Sequence, residues 1–203
     1  MKLYESSATP NCRRVRIFLA EKGLTVPSVP VDLGKLEHMT GEFERINPIR
    51  QVPALELNDG TIITESVAIC RYFEETHPEP SLFGATTRER VAIEMWQRRI
   101  ELGLFMAVMH VFRHGHPAMA QMENPQIPEW AEVNKARIAE ALVIIDRELE
   151  KTRFICGDTY SIADITAQVA IRFMKAARVQ VPENLVNITR WFEDVSSRPS
   201  AKA

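Results

Sequence analysis

The spacing of apolar positions changes once along this chain. In the first third, strand-like runs alternate with helical ones. Lys2-Leu3-Tyr4-Glu5 alternates polar and apolar like a half-buried strand, and Val15, Ile17, Phe18 and Leu19 follow at helical spacing until Gly23 supplies a stop. Val52 to Leu57 and Thr61 to Thr64 flank Asp59-Gly60, which predicts a hairpin. A helical stretch carrying Val67, Ile69, Cys70 and Phe73 comes next, and His77-Pro78-Glu79-Pro80-Ser81-Leu82-Phe83-Gly84 breaks it.

Beyond that break the strand signals nearly vanish. Thr86 with Glu89 predicts a capping box opening a long helix past Val91, Trp96, Ile100, Leu104 and Val108 to about His114. Further helices are predicted over residues 129–151, 162–177 and 183–197. The chain therefore reads as an α/β domain over residues 1–77, a linker over 78–86 and an all-helical domain over 87–203. The first domain's order of strand, helix, strand, helix, two strands and helix is the thioredoxin-like arrangement.

Composition narrows the picture. The 203 residues are 45% hydrophobic, enough for a sizeable core. A net charge of −2 without a basic block gives no reason to expect nucleic acid. No run of about 18 apolar residues predicts a membrane span, and the N-terminus lacks a signal-peptide core. Three scattered cysteines, Cys12, Cys70 and Cys156, fit a reducing cytoplasm better than a disulfide framework.

Three short signals carry candidate chemistry. Thr9-Pro10-Asn11-Cys12 opens the first helix, where unpaired N–H groups and the helix dipole favour an anion and Pro10 lacks an N–H that is not needed. Val52-Pro53 enters a strand, as a trans proline at the strand start or as a cis proline that turns the Val52 backbone toward a peptide ligand. Glu65-Ser66 opens another helix, whose N–H groups can hold a carboxylate while Glu65 meets an ammonium, or which is simply capped there. Together the three outline a thiol-peptide site.

Two further clusters are read differently. Ser161-Ile162-Ala163-Asp164 is a structural capping box. His110 and His114 share a helix face at i, i+4, but no His-Glu-x-x-His pattern accompanies them and no metal is expected.

At this point the chain resembles the cytosolic glutathione transferases. The likeness rests on Thr9-Pro10-Asn11, the helix Arg14 to Lys22, Val31-Asp32-Leu33-Gly34-Lys35, Asn47-Pro48, Val52-Pro53-Ala54-Leu55-Glu56 and Glu65-Ser66-Val67-Ala68-Ile69. Phe154-Ile155-Cys156-Gly157-Asp158 followed by Ser161 to Ile165 looks like the capping box of the family's helical domain, so the likeness spans nearly the whole chain. It is closest to yeast-type and bacterial members, with a nu-class flavour in Thr-Pro-Asn.

The resemblance implies an enzyme of detoxification that uses glutathione as co-substrate, activates its thiol and conjugates it to a small hydrophobic electrophile. Family members use a Tyr, Ser or Cys as thiol-activating group; here that position falls on Thr9, and Tyr4 points into packing. Thr9 and Asn11 together are expected to stabilise the sulfur anion. The likeness places the Val52 backbone, beside Pro53, on the cysteinyl unit, Glu65 and Ser66 on the γ-glutamyl end, and Lys35 or His38 on the glycine carboxylate.

His110, Arg113 and His114 are candidates for a second source of positive charge, because yeast-type members use polar residues of the same helix. The electrophile is expected beside Leu104 to Phe112, with Met119 or Trp130. The family also implies a two-fold homodimer. Cys12 supports a rival reading, since Thr9-Pro10-Asn11-Cys12 has the spacing of a redox Cys-x-x-Cys motif with only its second cysteine. The alternatives are thus glutathione-dependent disulfide or peroxide reduction, and a non-catalytic adaptor with the glutathione fold.

Overall fold

Leu3 and Tyr4 are both buried, so the first strand, β1 (Lys2–Glu5), is covered on both faces. It forms the centre of a sheet in the computed structural model, which describes residues 1–203. The helix α1 (Pro10–Glu21) leads to β2 (Ser28–Pro30), which pairs parallel to β1 with Tyr4 opposite Val29. Pro30 lies at the sheet edge, where its missing N–H breaks no ladder bond. A short helix, α2 (Gly41–Ile46), precedes β3 (Ala54–Glu56) and β4 (Ile62–Thr64), both antiparallel, giving the order β2-β1-β3-β4.

Local chemistry fixes these boundaries as the sequence predicts. Gly23 ends α1 at φ +66°, with its N–H donating to the Ala20 carbonyl and that of Leu24 to Leu19. Gly60, at φ +85°, turns the β3–β4 hairpin, and the Asp59 carboxylate accepts from the Thr61 N–H at 2.9 Å. The helix α3 (Ser66–Thr76) completes the unit.

Two compact units result, Met1–Ser81 with Pro199–Ala203, and Leu82–Arg198. The terminal residues group with the first unit because the Arg13 guanidinium donates to the Ala201 carbonyl and Ser200 to Glu21. The proline-rich stretch is fastened by Lys22. Its buried amine donates to the carbonyls of His77 (2.8 Å), Pro78 (3.2 Å) and Pro80 (2.6 Å) and pairs with Glu74 at 2.5 Å.

In the second unit the Thr86–Glu89 box is present in both directions and opens α4 (Thr87–Arg99). The predicted long helix then departs from ideal winding. Residues Ile100–Phe105 form a π-helical turn, with the Met106 N–H donating to the Glu101 carbonyl, before α5 (Met106–Gly115). Ile100, Leu104 and Phe105 are all buried on the wider turn, and Gly103 at its middle holds the α-form weakly. Of the apolar residues along the predicted helix, Val91 is 65% exposed, and the buried stripe runs through Ile93, Trp96 and Ile100. The remaining helices are α6 (Pro128–Leu149), α7 (Ile162–Met174) and α8 (Val186–Ser197).

Asp164 does more than cap α7. One carboxylate oxygen accepts from the Ser161 N–H and hydroxyl, both at 3.0 Å, and the other from the Ile155 N–H (3.0 Å) and the Trp191 indole N–H (2.9 Å). Asp164 and Trp191 are both fully buried, so one carboxylate joins α7, α8 and the loop before them. Removing it orphans several buried donors, each costing about 1 to 3 kcal/mol. Asp164→Ala is expected to lower stability to urea by about 4 kcal/mol and Asp164→Asn by about half that, well above the ~1 kcal/mol of an isolated cap. A loss near 1 kcal/mol for the alanine variant would reduce Asp164 to a cap.

Candidate functional site

Thr9 is the N-cap of α1, with extended backbone at φ −99°, ψ 139°. Its hydroxyl oxygen accepts from the Cys12 N–H at 3.4 Å, and its proton goes to the Ser6 carbonyl at 3.3 Å. Both contacts are long, so the hydroxyl is lightly held. Cys12 itself is completely buried, its sulfur accepts from the Ser6 N–H at 3.4 Å, and burial pushes its thiol up. A thiol so placed stays protonated at neutral pH, which removes the support that Cys12 lent to a redox reading.

At the start of α3, Glu65 has φ 68° and ψ 115°, a conformation that a residue with a Cβ rarely adopts. Backbone held this way is strained by about 1 to 3 kcal/mol and concentrates at ligand sites. No side chain caps α3, so its first-turn N–H groups remain open, while Ser66 is buried just inside the helix.

Arg14 connects these two helix starts. It is 1% exposed, and its Nη1 donates to the Ser66 hydroxyl oxygen at 2.7 Å and to the Asn11 side-chain carbonyl at 3.3 Å. Sequence reading passed over it. The available signal was a charged residue at a position of α1 whose neighbours Cys12, Val15 and Phe18 all face the core.

The other predicted residues divide clearly. The bond before Pro53 is cis, and Val52 packs in a cluster with Tyr4, Cys12, Val31, Phe43 and Ala54, next to the α1 start. The Tyr4 hydroxyl donates to Glu56 at 2.8 Å. Lys35 is 76% exposed along its side chain and pairs with Asp32 at 3.4 Å. His38 lies on a 3-10 turn (Glu37–Met39), is 3% exposed and has no hydrogen-bond partner at either ring nitrogen; burial lowers its pKa. Of the two carboxylate candidates, His38 is the one with polar atoms awaiting a partner.

His110, Arg113 and His114 lie together on α5, in the helical unit. His110 stacks on His114 with ring centres 6.0 Å apart and meets the Trp130 edge at 5.7 Å. Arg113 pairs with Glu123 at 3.1 Å, and His114 accepts from the Ile127 N–H at 3.2 Å. Burial and the nearby His114 and Arg113 lower the His110 pKa, so it is neutral at pH 7 and adds no positive charge. Leu104, Val108 and Val111, expected beside an electrophile, are core residues; Met109 and Phe112 are half-buried.

Comparison with known proteins follows the same division. Residues 3–81 match the family model described as glutathione S-transferase, N-terminal domain, and residues 104–199 the model for the C-terminal domain. The chain is 35% identical to glutathione S-transferase 2 of Saccharomyces cerevisiae over all of this chain and 88% of that protein. It is 29% identical to glutathione S-transferase F13 of Arabidopsis thaliana, covering 98% of this chain and 92% of the other. Among solved structures, Gtt2 of Saccharomyces cerevisiae superposes with a TM-score of 0.95 at 35% identity, over 100% of this chain and 99% of that one. A glutathione S-transferase domain-containing protein of Marinobacter aquaeolei VT8 gives 0.95 at 39% identity, over 98% and 99%.

The two depressed histidines set a pH dependence. A buried imidazole that prefers to be neutral has a folded pKa below its unfolded value of about 6.5, so protonation favours the unfolded chain. Their contribution is complete above that value and is lost as the pH falls below it, by at most about 1.4 kcal/mol per pH unit for each group. Urea unfolding between pH 7.5 and 5.5 is expected to show falling stability, and His38→Gln a shallower fall. An unchanged slope in that variant would mean that His38 titrates normally.

Proposed function

Since this chain belongs to the glutathione S-transferase family, we propose that it activates the glutathione thiol for attack on a small hydrophobic electrophile. The observation that carries the proposal is the pair of helix starts, α1 capped by Thr9 with the Asn11 side chain beside it and α3 uncapped at Glu65-Ser66, joined by a buried guanidinium. One start suits a sulfur anion and the other a carboxylate.

The γ-glutamyl carboxylate takes the first-turn amides of α3 and the Ser66 hydroxyl, with its ammonium at Glu65. The cysteinyl backbone pairs with Val52 beside Pro53. The glycine carboxylate goes to His38, whose buried ring nitrogens lack partners, in preference to Lys35, already paired with Asp32. The thiolate attacks the electrophilic carbon and forms a thioether, the leaving group departs with the bonding electrons, and the thiol proton goes to solvent.

Lowering the thiol from about 8.5 to about 6.5 requires roughly 2.7 kcal/mol of preference for the thiolate. A helix dipole contributes about 0.3 to 1 kcal/mol and a hydrogen bond to a charged group about 1.5 to 3. Dipole alone is insufficient. Asn11 supplies the main donor through its amide nitrogen, and the Thr9 hydroxyl adds to it by turning from Ser6. Arg113 and His114 fasten the segment after α5 through Glu123 and Ile127, and His110, its pKa lowered by burial, brings no charge.

Glutathione's ultraviolet thiolate absorbance, titrated with and without saturating protein, tests this reading. The bound thiol is expected to titrate about two units below the free one, with Asn11→Ala reversing most of the shift and Thr9→Ala a smaller part. Binding without any shift would favour the adaptor, and a mixed glutathione disulfide as sole product would favour reduction.

The proposal includes a homodimer in a reducing cytoplasm, where conjugation serves detoxification. Cys12, Cys70 and Cys156 are all free thiols, and no helix is long and apolar enough to cross a membrane. A groove of about 870 Å³ between α4–α5 and α6 is bordered by Leu102, 65% exposed, and Ile144, 54% exposed, a surface suited to a second copy. Sedimentation at micromolar concentration is expected to give twice the chain mass, with Leu102→Asp shifting it toward the monomer; a monomeric parent chain would remove this part.

A further inference from the structure

Arg14 contributes more than packing. An asparagine side chain has an acceptor end and a donor end, and only the donor end stabilises an anion. A guanidinium has five donors and no acceptor. The group that Asn11 turns toward Arg14 at 3.3 Å must therefore be its carbonyl oxygen, which leaves its NH₂ for a ligand. The same logic applies at 2.7 Å to Ser66, whose oxygen accepts from Arg14 and whose proton is then available. Arg14 is 1% exposed, so water does not compete at this junction, and its charge persists at any pH the fold survives.

We propose that Arg14 is a positioning residue that orients Asn11 and Ser66 together as outward donors, so that recognition of the γ-glutamyl carboxylate and stabilisation of the thiolate depend on one buried side chain. This inference rests on the glutathione reading of the site. It assigns Arg14 a part in specificity. A thiol lacking the γ-glutamyl group, such as cysteinylglycine, leaves the Ser66 donor unused and gains only the Asn11 half.

The arrangement makes a substitution pattern that packing alone does not. Arg14→Gln introduces an acceptor and removes the requirement that Asn11 present its carbonyl inward, so the amide can reverse. Arg14→Lys keeps a donor-only cation, although without the planar fork. The bound glutathione thiol is expected to titrate about one unit higher in Arg14→Gln, with most of the shift recovered in Arg14→Lys. The KM for glutathione should rise about tenfold in Arg14→Gln through the loss at Ser66, as for a hydrogen bond worth ~1.4 kcal/mol.

The decisive measurement is a double-mutant cycle with Asn11→Ala, read by the bound thiol's titration and by KM. In the Asn11→Ala background Arg14→Gln should shift the titration no further and still raise KM. Additive titration shifts, or an Arg14→Gln thiol that titrates as in the parent, would overturn the proposal. If Arg14→Gln does not fold, Asn11→Asp serves, since its carboxylate still pairs with Arg14 but offers the sulfur no donor. That variant should raise the bound thiol's titration at least as far as Asn11→Ala, and a parent-like value would overturn the role of Arg14. A parent protein that leaves the glutathione thiol unshifted removes the site reading as well; a shifted parent with an additive cycle removes only the role given to Arg14.

Discussion

A guanidinium buried between two helix starts is the constraint around which the first unit is arranged. Taking a charge out of water is costly unless strong acceptors surround it. For Arg14 those acceptors include the Asn11 carbonyl and the Ser66 hydroxyl, at the openings of α1 and α3. The two helices must therefore start near the same point, with their N–H ends converging. Two helix starts held together in this way concentrate partial positive charge.

Two more buried charges repeat the principle elsewhere. Lys22 collects three carbonyls and the Glu74 carboxylate, holding the proline-rich segment on α1. Asp164 collects four donors from the start of α7, the loop at Ile155 and the indole of Trp191. Each uses one full charge to fasten segments distant in sequence. Between α4 and α5, by contrast, the chain widens one helical turn around buried Ile100, Leu104 and Phe105.

The site differs from a reactive-cysteine centre in where its polarity lies. Cys12 is sealed and pushed toward the thiol form, whereas Asn11, Ser66 and the open amides of α3 offer neutral donors. Such a site suits a ligand that carries both the thiol and the carboxylates.

The order of elements, both capping boxes, the Asp59-Gly60 hairpin and the stop at Gly23 were legible because each depends on residues within a few positions of one another. Thr9, Asn11, Glu65 and Ser66 were legible as helix starts for the same reason. What sequence could not supply was the partnership of residues far apart: Arg14 with Ser66, Lys22 with the carbonyls of residues 77 to 80, Asp164 with Trp191. Nor could it choose between the isomers at Pro53 or between an ideal and a widened helix at Ile100, because each choice rests on neighbours brought in by folding. Local propensity and capping act over one turn and are written in the chain, whereas the burial of a charge or an imidazole is defined only once the tertiary structure has excluded water around it.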